Sequence, residues 1–364
     1  MKRIFVMALL VVELLCLLWG CKSRMPSIEC GGYPPPGEMN AQNVSQNGSA
    51  VGDEKRSAAI CMGVVSHPVH RLVQLGFLEA ADELGYEGHI LGLEEGSMQE
   101  LLDCWLQGAE DHDIGGAVCW VGDASAYEFL KELHGMGVKT VVPHFPHSYE
   151  ETKDFIDANV YYDQSAAAEM VADYLGGKLR NAGIQSGGIG VTVNNLFVSH
   201  EDAETFQQYM SEQYPEFTVL DMSAEGYDDP AGRVAQYIRD NPELVAAFGA
   251  ASTSPQAWAQ AKDATGRGDI MVVGCGYLPD SLYLLRSGKL DALVATPLYE
   301  DGYAGMELID EMLRGKIYHT SVSLWRHNLE TPLIYIGGKG LQDPGTYADM
   351  HTRSKAIFSI NRDD

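Results

Sequence analysis

The sequence predicts an α/β protein built from two Rossmann-like, doubly wound lobes with parallel sheets. Short apolar runs rich in β-branched residues alternate with longer segments whose apolar residues recur every three or four positions. Connections of a few residues join them, which is typical of helices packed on both faces of a parallel sheet. The alternation gives about ten strand–helix repeats, more than one open sheet usually holds. Two sheets are therefore expected, and a closed eight-stranded barrel is the alternative.

The segment Ala59–Tyr86 sets this pattern for the rest of the chain. Ala59–Val65 has the composition of a buried strand, and the polar residues and Pro68 that follow it end the run. From Val69 the apolar residues recur at helical spacing, and Gly85 stands where a helix C-cap belongs. In an open parallel sheet, the loop between such a strand and helix lies at the carboxyl edge, where ligands bind.

The remaining elements follow in chain order. Strands are predicted at Glu87–Leu93, Ile114–Val121, Val138–His144, Phe155–Val160, Gly188–Val193, Thr218–Met222, Val245–Gly249, Ile270–Gly274 and Ala292–Ala295. Helices are predicted at Met98–Leu106, Ala124–His134, Gln164–Leu179, Glu201–Tyr214, Pro230–Arg239, Gln256–Ala264, Ser281–Ser287 and Tyr303–Leu313. Pro230 suits the first turn of its helix, while Pro215 and Gly315 end the helices that they follow.

The formal net charge of −26 and the motifs that the sequence lacks argue against several functions. Phosphate binding needs clustered Lys and Arg, so nucleic acid is not an expected partner. The sequence contains no P-loop, GxSxG or HExxH motif, and Gly274–Gly276 is a GxG without a third glycine. His144 and His147 are separated by Pro146, so they do not form a helical metal pair. We therefore expect no enzymatic activity, no metal and no cofactor.

The spacing of the cysteines indicates free thiols and neither a metal-binding nor a redox motif. No CxxC pair occurs in the sequence, so neither a zinc ribbon nor a thioredoxin-like site is indicated. Cys61, Cys119 and Cys275 lie in or beside apolar strand-like runs. We expect these three to be buried thiols.

The N-terminus has the properties of an export signal followed by a tether. Lys2 and Arg3 precede the apolar run Ile4–Leu18, which is short for a membrane span. Leu18–Cys21 resembles the bacterial lipoprotein box, which predicts a signal peptide at 1–20 and lipid on Cys21. A plain secretory signal and an uncleaved anchor are the alternatives. Residues 21–57, rich in Pro, Gly, Asn and Ser, are predicted to be a flexible linker.

Five segments of the folded region follow one another in a recognisable order. Ala59–Tyr86 contains GVVSHPVHRLVQLGFLEAADELGY, and Gly115–Pro143 ends in GMGVKTVVP. Val160–Leu179 has the sequence VYYDQSAAAEMVADYLGGKL. Val272–Leu298 contains SGKL, and Tyr299–Lys316 has the sequence YEDGYAGMELIDEMLRGK. Together, across residues 58–336, these segments resemble the type I periplasmic binding proteins of the ribose, galactose and arabinose kind.

The resemblance implies two α/β lobes joined by a three-crossover hinge, with one small ligand closed between them. The first lobe would be 58–161 with 297–325, the second 162–296 with 326–345, and 346–364 a C-terminal tail. The implied function is an exported, monomeric solute-binding protein that delivers a sugar or sugar-like polyol to an ABC transporter permease. The alternative is a binding protein that feeds a membrane sensor kinase, for an amine or another small polar metabolite.

The resemblance also implies which residues contact the ligand. These are His67, His70, Phe145, Asp163, His200, Thr253, Tyr277 and Thr296. Phe145 stands near a charged position of the sugar-binding members, and His200 stands at their arginine position, whose five-donor fork an imidazole cannot reproduce. Asp163 is retained at the crossover, and capping of the next helix is its alternative role. Trp120 and Asp123 follow a buried strand and are further candidates for the cleft wall, with a structural tryptophan as the alternative.

Four of these residues are expected to converge on one cleft although they are scattered through the sequence. His67 and Phe145 belong to the first lobe, and His200 and Tyr277 belong to the second. Each follows a predicted strand, so each is expected at a carboxyl edge. Aromatic faces suit the apolar face of a sugar ring or an ammonium group, and imidazoles supply directional hydrogen bonds.

Overall fold

The computed structural model describes residues 56–122, 124–145, 147–161, 164–193, 197–223, 229–315, 329–330 and 334–337. The predictions for Cys21, for the signal peptide and linker, for Asp123, for Asp163 and for the C-terminal tail lie outside these residues. None of the described helices is long and apolar enough to cross a membrane.

Strands and helices alternate along the described chain, as the sequence pattern predicts. The strands are β1 (Arg56–Val64), β2 (Tyr86–Leu93), β3 (Ile114–Cys119), β4 (Lys139–His144), β5 (Ala158–Tyr161), β6 (Gly187–Thr192), β7 (Phe217–Asp221), β8 (Leu244–Gly249), β9 (Met271–Cys275), β10 (Ala292–Ala295), β11 (Leu329–Glu330) and β12 (Ile334–Gly337). The helices are α1 (Pro68–Leu84), α2 (Met98–Asp111), α3 (Tyr127–Gly135), α4 (Tyr149–Thr152), α5 (Gln164–Asn181), α6 (Phe197–Gln213), α7 (Pro230–Asp240), α8 (Ser254–Thr265), α9 (Pro279–Arg286) and α10 (Leu298–Leu313).

These elements form two separate sheets, which confirms the predicted fold class and excludes the barrel. The first sheet has the order β2-β1-β3-β4-β5-β11, and the second has the order β7-β6-β8-β9-β10-β12. β12 pairs with β10 in the antiparallel direction, whereas the pairs among β1–β5 and among β6–β10 are parallel. Compact units form around the two sheets, and the chain divides between them near residue 162, after Thr296 and near residue 332.

Both sheets reverse their strand order at one point, and this point defines where a ligand can be held. In the first unit, β1 lies between β2 and β3, so the loops after β1 and β3 leave the sheet in different directions. The same reversal occurs between β6 and β8 in the second unit. A crevice outside the carboxyl ends of the strands forms at such a switch point in doubly wound sheets.

Helix α1 begins and ends at residues whose chemistry explains its bounds. His67 is the N-cap, and Pro68 occupies the first turn, where a missing N–H costs no hydrogen bond. Gly85 closes the helix with φ +80°, a conformation that glycine adopts without strain. The buried face of α1 includes Leu72 and Phe77, so the helix packs firmly and positions the loop before it.

Several predicted bounds differ from the structure: the helix predicted at Met98–Leu106 continues to Asp111, and the helix predicted from Tyr303 begins at Leu298. Three other differences have local reasons. The helix predicted from Glu201 begins at Phe197, because the turn before Glu201 contains no residue that stops a helix. The strand predicted from Phe155 begins only at Ala158, since the Phe155 and Ile156 amides donate to the carbonyl of Thr152 and close a turn first. The helix predicted at Ala124–His134 opens with a 3-10 turn at Ala124–Ala126 before α3.

Helices α1 and α10 of the first unit cross at a contact made by two glycines. A Cβ placed on Gly302 would lie 1.9 Å from the carbonyl oxygen of Val73. A Cβ on Gly76 would lie 2.0 Å from the carbonyl oxygen of Tyr299. The two backbones therefore touch directly, and α10 is held against α1 in one fixed register.

The predicted thiols are largely buried. Cys61 and Cys119 are free, fully buried and paired side by side on β1 and β3. Cys275 is free and half-buried, and burial raises the pKa of its thiol to about 12. Burial also raises the pKa of the Cys61 thiol, and these side chains act as small apolar groups.

Candidate functional site

Two histidines lie just after β1, at the carboxyl edge of the first sheet. The exposed His67 is the N-cap of α1, and its Nδ1 accepts a hydrogen bond from the Val69 backbone N–H at 3.3 Å. The half-buried His70 lies one turn later, with its Nδ1 2.7 Å from the carbonyl oxygen of Val64. Because a carbonyl only accepts, Nδ1 of His70 carries the proton. The two ring centroids are 5.1 Å apart, so the start of α1 brings both imidazoles to one place.

Trp120 follows β3 and joins these histidines to the residues after β4. Its backbone N–H donates to the carbonyl of Cys61 at 2.9 Å, which ties the start of this loop to β1. The half-buried indole stacks on His144, with centroids 4.7 Å apart and 22° between the planes. It also lies 5.5 Å from the rings of both His70 and Phe145. We call this continuous set the ring cluster: His67, His70, Trp120, His144 and Phe145.

The chain leaves β4 in a strained conformation at His144. Its φ is +76°, in the left-handed region that residues other than glycine seldom adopt. Asn159 on β5 supports this turn, because its Nδ2 donates to the carbonyls of Val142 and Phe145, both at 2.8 Å. Strain of this kind persists only where surrounding contacts hold it, and it is frequent at functional sites.

A buried carboxylate lies behind the ring cluster. Asp301, in the first turn of α10, is fully buried, and its Oδ2 lies 2.8 Å from Nδ1 of His144. An ionised carboxylate only accepts hydrogen bonds, so Nδ1 of His144 carries the proton in this pair. The contact joins parts of the chain that are 157 residues apart.

Two imidazoles of the ring cluster are held in their neutral form. Burial, with smaller effects from His67 and His144, lowers the pKa of His70 from 6.5 to about 3. Desolvation also lowers the pKa of His67, although part of its ring remains accessible to solvent. At neutral pH both rings can donate and accept hydrogen bonds without carrying charge. Neutral imidazoles beside aromatic faces suit an uncharged ligand that has an apolar face and hydroxyl groups.

The predicted residues of the second unit follow strands but differ in exposure. Thr253 is exposed at the N-cap of α8, after β8. Tyr277 follows β9 and is fully buried, and Thr296 follows β10 and is 7% exposed. The backbone of His200 lies in the first turn of α6, after β6. The convergence of the four scattered residues on one cleft therefore stays a prediction.

Sequence patterns missed three polar residues at or behind the first edge. Asp301 stands in an acidic helix start, a pattern that usually marks a solvated turn. Asn159 lies in a short strand without a recognisable motif. Glu94 follows β2 in a polar run that is typical of a solvated loop, yet it is half-buried and accepts a hydrogen bond from the Ser66 hydroxyl. A buried acid can be inferred from sequence only when its partner is known, and here each partner lies on another element.

Within the residues that the structure describes, no group of three or more His, Cys, Asp or Glu side chains is arranged to hold a metal ion.

Comparisons with known sequences bear on the whole folded region. Residues 58–317 match a family model described as a periplasmic binding protein domain. The chain is 22% identical over 282 residues to the ribose import binding protein RbsB of Salmonella typhimurium, covering 76% of this chain and 92% of that protein. The same identity and coverage apply to RbsB of Escherichia coli K12.

Solved structures with the same fold include two from Geobacillus stearothermophilus. The glucose-galactose binding protein GanP superposes with a TM-score of 0.65 at 18% identity, covering 79% of this chain and 99% of GanP. The arabinose binding protein AraP superposes with a TM-score of 0.67 at 14% identity, covering 80% of this chain and 99% of AraP. At identities this low, the superpositions establish that the fold is shared and nothing more.

Proposed function

The chain belongs to the periplasmic binding protein family, and from this premise we propose that it captures a sugar or sugar-like polyol and delivers it to an ABC transporter permease. Membership of the family implies a location outside the cytoplasm. The matched family and relatives are binding proteins, and the relatives' names specify ribose, glucose-galactose and arabinose. In this proposal the protein acts as a monomer.

The ring cluster is the observation that supports the sugar proposal most directly. It lies at the carboxyl edge of β1, β3 and β4, at the switch point where doubly wound sheets bind ligands. It offers aromatic faces for the C–H face of a sugar ring and neutral imidazoles for its hydroxyls. We propose that His67, His70 and Phe145 contact the sugar from this edge.

The ligand contacts proposed for the second unit are His200, Thr253, Tyr277 and Thr296, with Asp163 at the crossover. Their support is the position of three of them after consecutive strands of a doubly wound sheet. Single alanine variants of these residues test each contact separately, by calorimetric titration with a sugar that binds the wild-type protein.

Thermal unfolding with a panel of sugars tests the proposed function. We expect at least one of D-ribose, D-arabinose, D-galactose and D-glucose to raise the Tm of the purified protein. At a concentration of 100 Kd the stabilisation is about 2.7 kcal/mol, which corresponds to a shift of roughly 5 °C. Calorimetric titration of the sugar that shifts the Tm most then gives its Kd.

A charged analogue provides the matched control. D-glucose 6-phosphate keeps the pyranose ring of D-glucose but carries charge that the neutral imidazoles of His67 and His70 do not offset, so it should shift the Tm less. The sugar proposal is wrong if none of the four sugars shifts the Tm and none gives a heat of binding.

We propose further that Cys21 carries lipid and anchors the protein on the outer face of the cytoplasmic membrane, with a periplasmic location as the alternative. Support comes from the apolar run that ends before Cys21 and the polar, proline-rich tether after it. In a Cys21→Ser variant we expect release into the medium or retention of the unprocessed precursor, measured by fractionation and gel mobility. A variant that fractionates and migrates like wild type would contradict the anchor.

A further inference from the structure

The ring cluster and the Asp301 carboxylate behind it form layers that run from full burial to partial exposure. Asp301 is fully buried, His144 is 8% exposed and Trp120 is half-buried. Each contacts the next, first through a hydrogen bond and then through a ring stack. Through these contacts the buried Asp301 carboxylate can influence Trp120, a side chain that solvent reaches.

The carboxylate restricts the imidazole in two ways. The 2.8 Å contact between Oδ2 of Asp301 and Nδ1 of His144 keeps the proton on Nδ1 and fixes the plane of the ring. It also helps to hold His144 at its positive φ, together with the hydrogen bonds that Asn159 makes on either side of it. Without Asp301, both the ring plane and the turn lose a support.

The imidazole in turn supports the indole. Its face covers the Trp120 ring at 4.7 Å with planes 22° apart, and Phe145 packs edge-on against both rings at 5.5 and 4.8 Å. The Trp120 backbone N–H donates to the Cys61 carbonyl, so the backbone is fixed and only the side-chain torsions of Trp120 can change. The orientation of the indole therefore follows from the position of His144.

We propose that Trp120 contacts the ligand and that Asp301 and His144 are positioning residues that set the orientation of its indole. This inference rests on the proposed function and adds that a residue out of reach of solvent controls sugar affinity. The ligand would be an uncharged ring with one apolar face, because an indole held beside the neutral imidazole of His70 offers dispersion and hydrogen bonds without compensating a charge.

The test compares two buried acids on the same helix. Asp301→Asn is the test variant, and Asp310→Asn is its matched control. Asp310 is also buried on α10, but it accepts hydrogen bonds from Tyr86 and Arg314 and not from a ring of the cluster. Both variants should lower the Tm. Only Asp301→Asn should raise the Kd of the sugar identified from the panel, by about tenfold, while Asp310→Asn should leave it within about twofold.

Tryptophan fluorescence tests the positioning without any ligand. For wild type and for each variant, the Trp120 emission is obtained by subtracting the spectrum of the same protein that also carries Trp120→Phe. We expect this emission to shift in Asp301→Asn and not in Asp310→Asn. His144→Asn is the second variant, since asparagine tolerates a positive φ but removes the ring, and it should shift the same emission.

Each outcome separates the two hypotheses. Unchanged Trp120 emission in folded Asp301→Asn and His144→Asn overturns the positioning role, as does an equal increase of the Kd in both acid variants. If no sugar binds to the wild-type protein, the proposed function is wrong. A shifted Trp120 emission would in that case still support the positioning of the indole.

Discussion

Replacement of Gly302 by alanine should lower the free energy of unfolding of the first unit by about 3 kcal/mol or more. The added Cβ would lie 1.9 Å from the carbonyl oxygen of Val73 and 2.9 Å from the amide nitrogen of Phe77. Both are backbone atoms inside α1, so no side-chain rotation can relieve the contact. Helix α10 would have to move away from α1, which opens a gap along a tightly packed helix pair.

Urea denaturation followed by far-UV circular dichroism measures this effect, with the transition of the first unit analysed separately if two transitions appear. Gly177→Ala is the matched control, because Gly177 lies inside α5 and a Cβ there meets no atom within 4 Å. Alanine in that helix interior should stabilise by up to about 1 kcal/mol. A Gly302→Ala midpoint equal to that of wild type would show that the helix contact is looser than described.

The same substitution has a consequence for the candidate site. Asp301 precedes Gly302 in the chain, so a displacement of α10 moves the carboxylate away from His144. Ligand affinity should then fall together with stability. The close crossing of α1 and α10 therefore helps to hold the ring cluster in place, although both glycines lie inside helices and not in the loops at the sheet edge.

The architecture could be predicted because it depends on local signals that repeat. Short apolar runs with β-branched residues, such as Ala59–Val65, favour strands, whereas the segment after Val69 has helical spacing and a C-cap glycine. Order and handedness of the connections then leave few topologies. The bounds that moved, such as the start of β5, depend on turn hydrogen bonds that sequence spacing does not encode.

The candidate site could be predicted only in part, and the missing part is the one that needs distant contacts. Four residues of the site follow strands and can therefore be predicted at the carboxyl edge of the sheet: His67, His70, Trp120 and Phe145. Asp301 lies on a helix that rejoins the first unit after the second one, and nothing near it in sequence indicates a buried acid. Residues that act by supporting others are recognised only when the three-dimensional contact is known.

Stability of the first unit should fall as the pH is lowered from about 6.5 towards 3, and His70 should account for much of the loss. The pKa of His70 falls from 6.5 to about 3 because its ring is buried and because His67 and His144 lie beside it. The Val64 carbonyl opposes this shift without reversing it. Asp301, the carboxylate behind the ring cluster, is hydrogen-bonded to His144.

The sign follows from proton binding. Between these two pH values an unfolded chain binds a proton at His70 and the folded chain does not, so acid favours the unfolded state. The full difference corresponds to on the order of 4 kcal/mol at pH 3, and it is absent above pH 6.5. His70→Asn retains an N–H donor for the Val64 carbonyl but does not titrate, so it isolates this contribution from all other groups.

Urea midpoints of wild type and His70→Asn, measured at pH 7, 5 and 4, decide the matter. At pH 7 the variant should be less stable, since an amide fills less of the space between Trp120 and His67 than an imidazole does. The difference in urea midpoint between wild type and His70→Asn should be smaller at pH 5, and smaller still or reversed in sign at pH 4. Parallel pH profiles for the two proteins would mean that His70 is protonated at little cost. The ring cluster would then be open to water, and its rings would not be held for a ligand.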